Sequence, residues 1–166
     1  MNKTLRIPLF VTIGLVYAGC DQFTKSIAKS HLKHGELYSY FGDTVRLQLA
    51  HNYGAFLGLG DSLPEPWRNG IWSIGVGVVL FAMLGYALLA KNMDRPTLIA
   101  LALIFAGGAS NLYDRIAYGG YVVDFLNFGI GPLRTGILNV ADMGITAGAV
   151  IVFISAFRNS KSNSTS

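Results

Sequence analysis

Four aspartates stand in or beside strongly apolar stretches of this chain: Asp21, Asp114, Asp124 and Asp142. A carboxylate at the centre of a lipid-spanning segment costs about 2.5–3.5 kcal/mol on insertion scales, so each of these acids is a functional candidate. Two carboxyl groups held close together resist ionising together, and one keeps its proton while the other is charged. The charged member can take a proton from water as it attacks a peptide carbonyl. The neutral member can donate to the carbonyl oxygen or to the leaving nitrogen. A pair drawn from these four acids could therefore hydrolyse a peptide bond.

Each acid also has a plainer explanation. Asp21 and Lys25 are one helical turn apart and can pair, which makes that charge structural. Asp114 is adjacent to Arg115 and can pair with a basic group to fix a helix end. Asp124 and Asp142 have no base within a helical turn, since Arg134 is eight residues from Asp142 and Arg115 nine from Asp124. On residue type alone, solvation at a membrane interface accounts for these two as well as catalysis does. Asn111 shares a helix side with Asp114 and Arg115, and Asn139 with Asp142 and Thr146. A Ser/His/Asp mechanism has no support, because His31, His34 and His51 sit in a loop remote from any activated serine. His31 and His34 lack the acid or cysteine cluster that a metal needs, so surface histidines are expected and no metal site. No cofactor motif is present.

The elements that must position these side chains are membrane spans. The 166 residues suffice for one domain, and they are 52% hydrophobic and 13% charged, with the apolar residues in blocks. Stretches 7–28, 67–90, 97–116 and 136–157 are each long enough to cross a hydrocarbon core. Pro96 stands where a helix-starting proline is tolerated. Gly107 and Gly108, with Gly144 and Gly148, offer small surfaces for close helix approach. Basic residues flank the spans at Lys3 and Arg6, Lys91 and Arg95, Arg158 and Lys161, which predicts cytoplasmic N and C termini. The segment 29–65 has three Lys/Arg against four Asp/Glu and faces outward, as does 117–135. In this first outer loop, about 29–66, Val45, Leu47 and Leu49 alternate with Arg46, Gln48 and Ala50, which reads as a strand. Residues 37–41 are its expected partner across Gly42-Asp43, and 53–59 a third strand.

The expectation is an all-α membrane protein with four transmembrane helices and a small antiparallel β-sheet in the first outer loop. Residues 1–158 form one domain and 159–166 a disordered tail. The net charge of +4 comes with no basic stripe, so nucleic acid is not a partner. No internal repeat suggests a transporter, and the single cysteine, Cys20, excludes an internal disulfide. Trp67 and Trp72 read as interfacial anchors.

Read in order, five blocks resemble the lipoprotein signal peptidase (signal peptidase II) family of bacteria. Asp21-Gln22-Phe23-Thr24-Lys25 resembles D-Q-x-[ST]-K, and Asn52-Tyr53-Gly54-Ala55-Phe56 resembles N-x-G-A-x-F with one residue fewer. Gly107 to Arg115 resembles G-G-x-x-N-x-x-D-R. Val123-Asp124-Phe125 resembles V-D-F, and Asn139-Val140-Ala141-Asp142 resembles F-N-x-A-D, with Leu138 in place of the phenylalanine. Met143 follows where serine is common. The resemblance implies an aspartic endopeptidase of the cytoplasmic membrane, acting at its outer face. It would cut prolipoproteins just before a diacylglyceryl-modified cysteine. Asp124 and Asp142 would be its catalytic pair. Asn52, Asn111, Asp114, Arg115 and Asn139 would bind substrate or brace the site, and Asp21 and Lys25 would be structural. Its partners would be prolipoprotein substrates and membrane lipid, with the chain a monomer.

Other readings stay open on the sequence. Met1 to Cys20 resembles a lipoprotein signal ending in Ala18-Gly19-Cys20, although Tyr17 stands where leucine is preferred. A small proton or cation carrier could use the same acids. An inactive relative could bind lipidated signal peptides without cutting them. Tyr118 and Tyr121 lie where a flap over the site could sit.

Overall fold

The computed structural model describes residues 3–54, 60 and 62–163. Four helical stretches are long and apolar enough to cross a membrane: Thr4–His31, Glu65–Leu89, Arg95–Ala117 and Val140–Phe157. The first lies in α1 (Lys3–His31). The second joins α2 (Glu65–Asn69) to α3 (Val76–Leu89) through a π-helical turn at Gly70–Gly75. The third is α4 (Arg95–Ala117), whose start is set by Asp94 accepting from Thr97 N at 3.1 Å, with Pro96 in the first turn. The fourth lies in α5 (Val140–Asn163).

α4 is the hub of the bundle and packs on α1, α3 and α5. Its contact with α5 depends on glycine. A Cβ on Gly107 would stand 2.5 Å from the Ala141 carbonyl oxygen, and one on Gly148 would stand 2.7 Å from the Ala100 carbonyl oxygen. With no driving force from water inside a bilayer, such close backbone approach supplies the packing. Many large apolar side chains on the outer helix faces are exposed, among them Leu15, Val78, Phe81 and Phe153, as lipid-facing residues should be. Arg6, near the start of α1, is turned inward. It is fully buried and donates to the Leu88 and Ala90 carbonyls at 2.9 and 2.6 Å. That bond brings the start of α1 and the α3–α4 turn to one end of the bundle. The C-terminal carbonyls of α3 lack helical partners, so a guanidinium there is doubly suited.

At the opposite end lies one antiparallel sheet of order β1-β2-β3-β4. Its strands are β1 (Tyr38–Tyr40), β2 (Val45–Asn52), β3 (Val122–Ile130) and β4 (Leu133–Arg134). The β1–β2 hairpin is where alternation puts it, and Phe41, Gly42 and Asp43 make its turn with positive φ. Arg46 and Ser39 donate to the Asp43 carboxylate at this turn, with Arg134 3.5 Å away, and together they hold its carboxyl well below the usual carboxylate range.

Four expectations need correction. The sheet does not belong to the first loop alone: β3 and β4 come from the connection between α4 and α5, and β3 pairs along β2. Residues 53 and 54 are not in a strand, and the rest of the expected third strand, 55–59, lies outside the described residues. The fourth helix begins at Val140 and not near residue 136, because Leu138 is still bridged to Leu126. α5 also runs on to Asn163, past the expected start of a disordered tail at 159, while 164–166 lie outside the described residues.

Candidate active site

The site forms where the N-terminus of α5 meets β2, β3 and α4. Asn139 caps α5, and its side-chain oxygen accepts from the Asp142 N–H at 2.9 Å. Asp142 returns the bond, accepting from the Asn139 N–H at 3.2 Å. This is a reciprocal capping box in which an aspartate takes the usual glutamate place. It fixes the Asp142 carboxylate at the positive end of the helix dipole. Asn111 of α4 donates to its other oxygen at 3.0 Å.

Asp124 enters from β3 and is only 1% exposed. It accepts from Asn139 Nδ2 at 2.6 Å and from Asn52 Nδ2, at the end of β2, at 2.9 Å. Asn139 therefore bonds both carboxylates, and its Nδ2 also lies 3.2 Å from Asn111 Oδ1. Burial first, and then the nearby Asp142 charge, push the Asp124 carboxyl up to about 7, against the opposing pull of the Asn52 and Asn139 bonds.

Asp21 and Asp114 do something else. Both contact the Lys25 ammonium at 2.8 Å, and Lys25 donates to Asn111 Oδ1 at 2.8 Å. Lys25 and the two acids are all at most 1% exposed. The remaining oxygens are satisfied as well. Asp21 accepts from Ser110 Oγ and the Ala141 N–H, both at 2.7 Å. Asp114 accepts from Gln22 Nε2 at 2.8 Å and the Val123 N–H at 3.1 Å. One buried charge cluster thus ties α1 to α4, to the first turn of α5 and to the strand carrying Asp124. The base that pairs with Asp114 is Lys25 and not the adjacent Arg115. Arg115 instead donates to the Gly54 carbonyl at 2.6 Å and holds the chain that follows Asn52.

Apart from Arg115, the sequence-predicted residues fall into two groups. Asn52, Asn111 and Asn139 meet the Asp124–Asp142 pair, whereas Asp21, Lys25 and Asp114 form the brace behind it. Three supporting residues were not singled out from sequence. Gln22 and Ser110 lie inside the blocks quoted above, so their positions were available. Tyr17, which donates to the Val140 carbonyl at 2.8 Å, had no such signal. The histidines are surface groups: His31 is near Ser30 Oγ, and His34 and His51 meet edge to face with centroids 4.6 Å apart.

The signal peptidase (SPase) II family matches residues 13–158. The chain is 33% identical over 151 residues to the lipoprotein signal peptidase of Cupriavidus taiwanensis, covering 90% of this chain and 83% of that one. It is 34% identical over 155 residues to that of Pelodictyon phaeoclathratiforme, covering 88% of each. A solved bacterial membrane enzyme superposes with a TM-score of 0.81 at 25% identity, covering 93% of this chain and 90% of the other. The chain is a multi-pass membrane protein and belongs to the signal peptidase II family of aspartic peptidases.

Proposed function

We propose that this chain removes signal peptides from diacylglyceryl-modified prolipoproteins, with Asp124 and Asp142 as its catalytic pair. The observation that carries the assignment is Asn139, whose amide and backbone N–H bond one carboxylate each. The other two acids are ion-paired to the buried Lys25 ammonium and bonded by Ser110, Gln22 and backbone N–H groups, the arrangement of a structural brace.

The pair shares one proton near neutral pH. The ionised carboxylate takes a proton from water, whose oxygen adds to the scissile carbonyl carbon. The protonated carboxyl gives its proton to the carbonyl oxygen, and a tetrahedral diol results. Return of a proton to the amide nitrogen breaks the C–N bond and leaves a free carboxylate and amine. Asn52, Asn111 and Asn139 donate to the two carboxyls and fix their orientation before substrate arrives. The relatives' names, lipoprotein signal peptidase, support the substrate class. Purified protein in detergent, mixed with diacylated and unlipidated forms of one prolipoprotein, tests it. Cleavage of the diacylated form alone is expected, and absence of product from both overturns the enzymatic reading.

The site is read as lying at the outer face of the bacterial cytoplasmic membrane, with both termini inside. Support comes from the basic flanks at Lys91 and Arg95, and from Arg6, whose bond brings the start of α1 to that same end. The sheet and the acid pair lie at the other. A phosphatase reporter fused after residue 166 should be inactive, and one inserted in the 32–36 turn active.

A further inference from the structure

Asn52, at the end of β2, is a ligand of the acid pair that comes from the sheet, and its two chain neighbours are gripped from one side. His51 stacks on the Tyr121 ring with centroids 4.0 Å apart and planes 22° apart. Tyr53 meets the same ring at 5.5 Å. Successive residues of a strand point to opposite faces, so Asn52, the last residue of β2, points away from His51 and its contact with Tyr121. There it donates to Asp124. Tyr121 thus sits on the back of the backbone segment whose front supplies a ligand to the acid.

The ring is itself fixed. Tyr118 stacks behind it at 5.5 Å, and the two are brought together by Gly119 and Gly120, at φ 71° and 108°. A Cβ at Gly120 would also stand 2.5 Å from Asn69 Oδ1 and displace that side chain, so the turn needs glycine for its conformation first. Lys29 Nζ bonds the Tyr118 hydroxyl at 2.5 Å, and the Arg68 guanidinium lies over Tyr53 at 4.9 Å. The ends of α1 and α2 therefore clamp the stack from two sides.

We propose that Tyr121 is a positioning residue for the peptidase, setting Asn52 against Asp124 through its contacts with His51 and Tyr53. The inference rests on the reading of Asp124 as catalytic. Aromatic contacts of this kind are directional, so an aliphatic replacement fills space without fixing the angle.

The test compares Tyr121→Leu, Tyr121→Phe, His51→Leu and Asn52→Ala in detergent, on a diacylated prolipoprotein, with Asp124→Asn as control. Tyr121→Leu should lower kcat about fivefold to tenfold, the scale of an aromatic contact read as a rate, with KM within about twofold. Its alkaline pH limb should move upward, as it should for Asn52→Ala, because a weaker Asn52 bond leaves Asp124 holding its proton more tightly. Tyr121→Phe should restore both. His51→Leu, an exposed change that spares the fold, should act in the same direction at smaller size. In the Asn52→Ala background, Tyr121→Leu should cost nothing further. An unchanged kcat in Tyr121→Leu and His51→Leu overturns the proposal, and so does an equal loss with and without Asn52. If Asp124→Asn itself stays active, the catalytic reading fails and not merely this inference.

Discussion

Asn139 and Asp142 bond each other twice across the first turn of α5, at 2.9 and 3.2 Å. The helix cap and a ligand of the proposed catalytic pair are the same two residues here. The bonds that cap α5 therefore also orient Asp142, and the same Asn139 side chain reaches Asp124.

That double use is separable by substitution. Asn139→Ala should lower stability by about 1 kcal/mol through loss of the cap. It should also slow cleavage about a hundredfold, as loss of a donor to charged catalytic groups does. Asn139→Ser keeps a capping oxygen but cannot span to Asp124, so it should recover most of the thermal stability and little of the rate. Thermal unfolding in detergent beside initial rates checks both.

Lys25→Met should be far more damaging to the fold. It leaves Asp21 and Asp114 buried without their shared cation, and breaking a buried ion pair costs about 3–5 kcal/mol. Loss of a cooperative unfolding transition, or of folded protein altogether, is expected. A variant as stable as the parent would show the cluster to be dispensable.

The pH response follows from Asp124, whose carboxyl lies at about 7 in the folded protein against an ordinary 3.8. Between those values the folded protein binds the proton and the unfolded chain does not. This group's contribution to stability therefore declines as pH rises from about 4 to about 7. Cleavage should also fall above about pH 7, as the pair loses its shared proton. A carboxylic-acid infrared band present at pH 6, fading by pH 8 and missing in Asp124→Asn would establish the assignment. Activity that is level up to pH 9 would contradict it.

Gly107 and Gly148 should part company under the same change. A Cβ at either meets a backbone oxygen of the facing helix, and overpacking of this kind costs about 1–3 kcal/mol. Gly107 faces Ala141, beside Asp142, so Gly107→Ala should disturb the Asn111–Asp142 bond and slow cleavage strongly. Gly148→Ala lies two turns further along α5 and should cost stability with a smaller effect on rate. Melting curves and rates for the two variants decide it.

The four spans were legible because lipid demands long apolar runs, and the β1–β2 hairpin because alternation marks its second strand. β3 was not. Val122 to Phe125 are all buried, on both faces of the strand, so the alternation that marks Val45 to Ala50 is missing. Its signals were composition and punctuation: a Val- and Phe-rich run between Gly119-Gly120 and Gly131-Pro132. The pairing of Asp124 with Asp142 was also out of reach of spacing. It is made by a strand docking against a helix end, a long-range contact that only the family resemblance pointed to. The plainer readings of Asp21 and Asp114 as ion-pair acids, in contrast, came from sequence and agree with the structure, although the base for Asp114 is Lys25.

The central claim is that Asp124 and Asp142 perform the cleavage, and it is tested most directly by measuring diacylated prolipoprotein processing by purified Asp124→Asn and Asp142→Asn. Each replacement keeps the size of the side chain. Each variant should fold, with thermal unfolding close to the parent, and lose at least about a thousandfold in rate, since neither half of a proton-sharing pair works alone. Retention of cleavage within about tenfold of the parent by either folded variant would contradict the account.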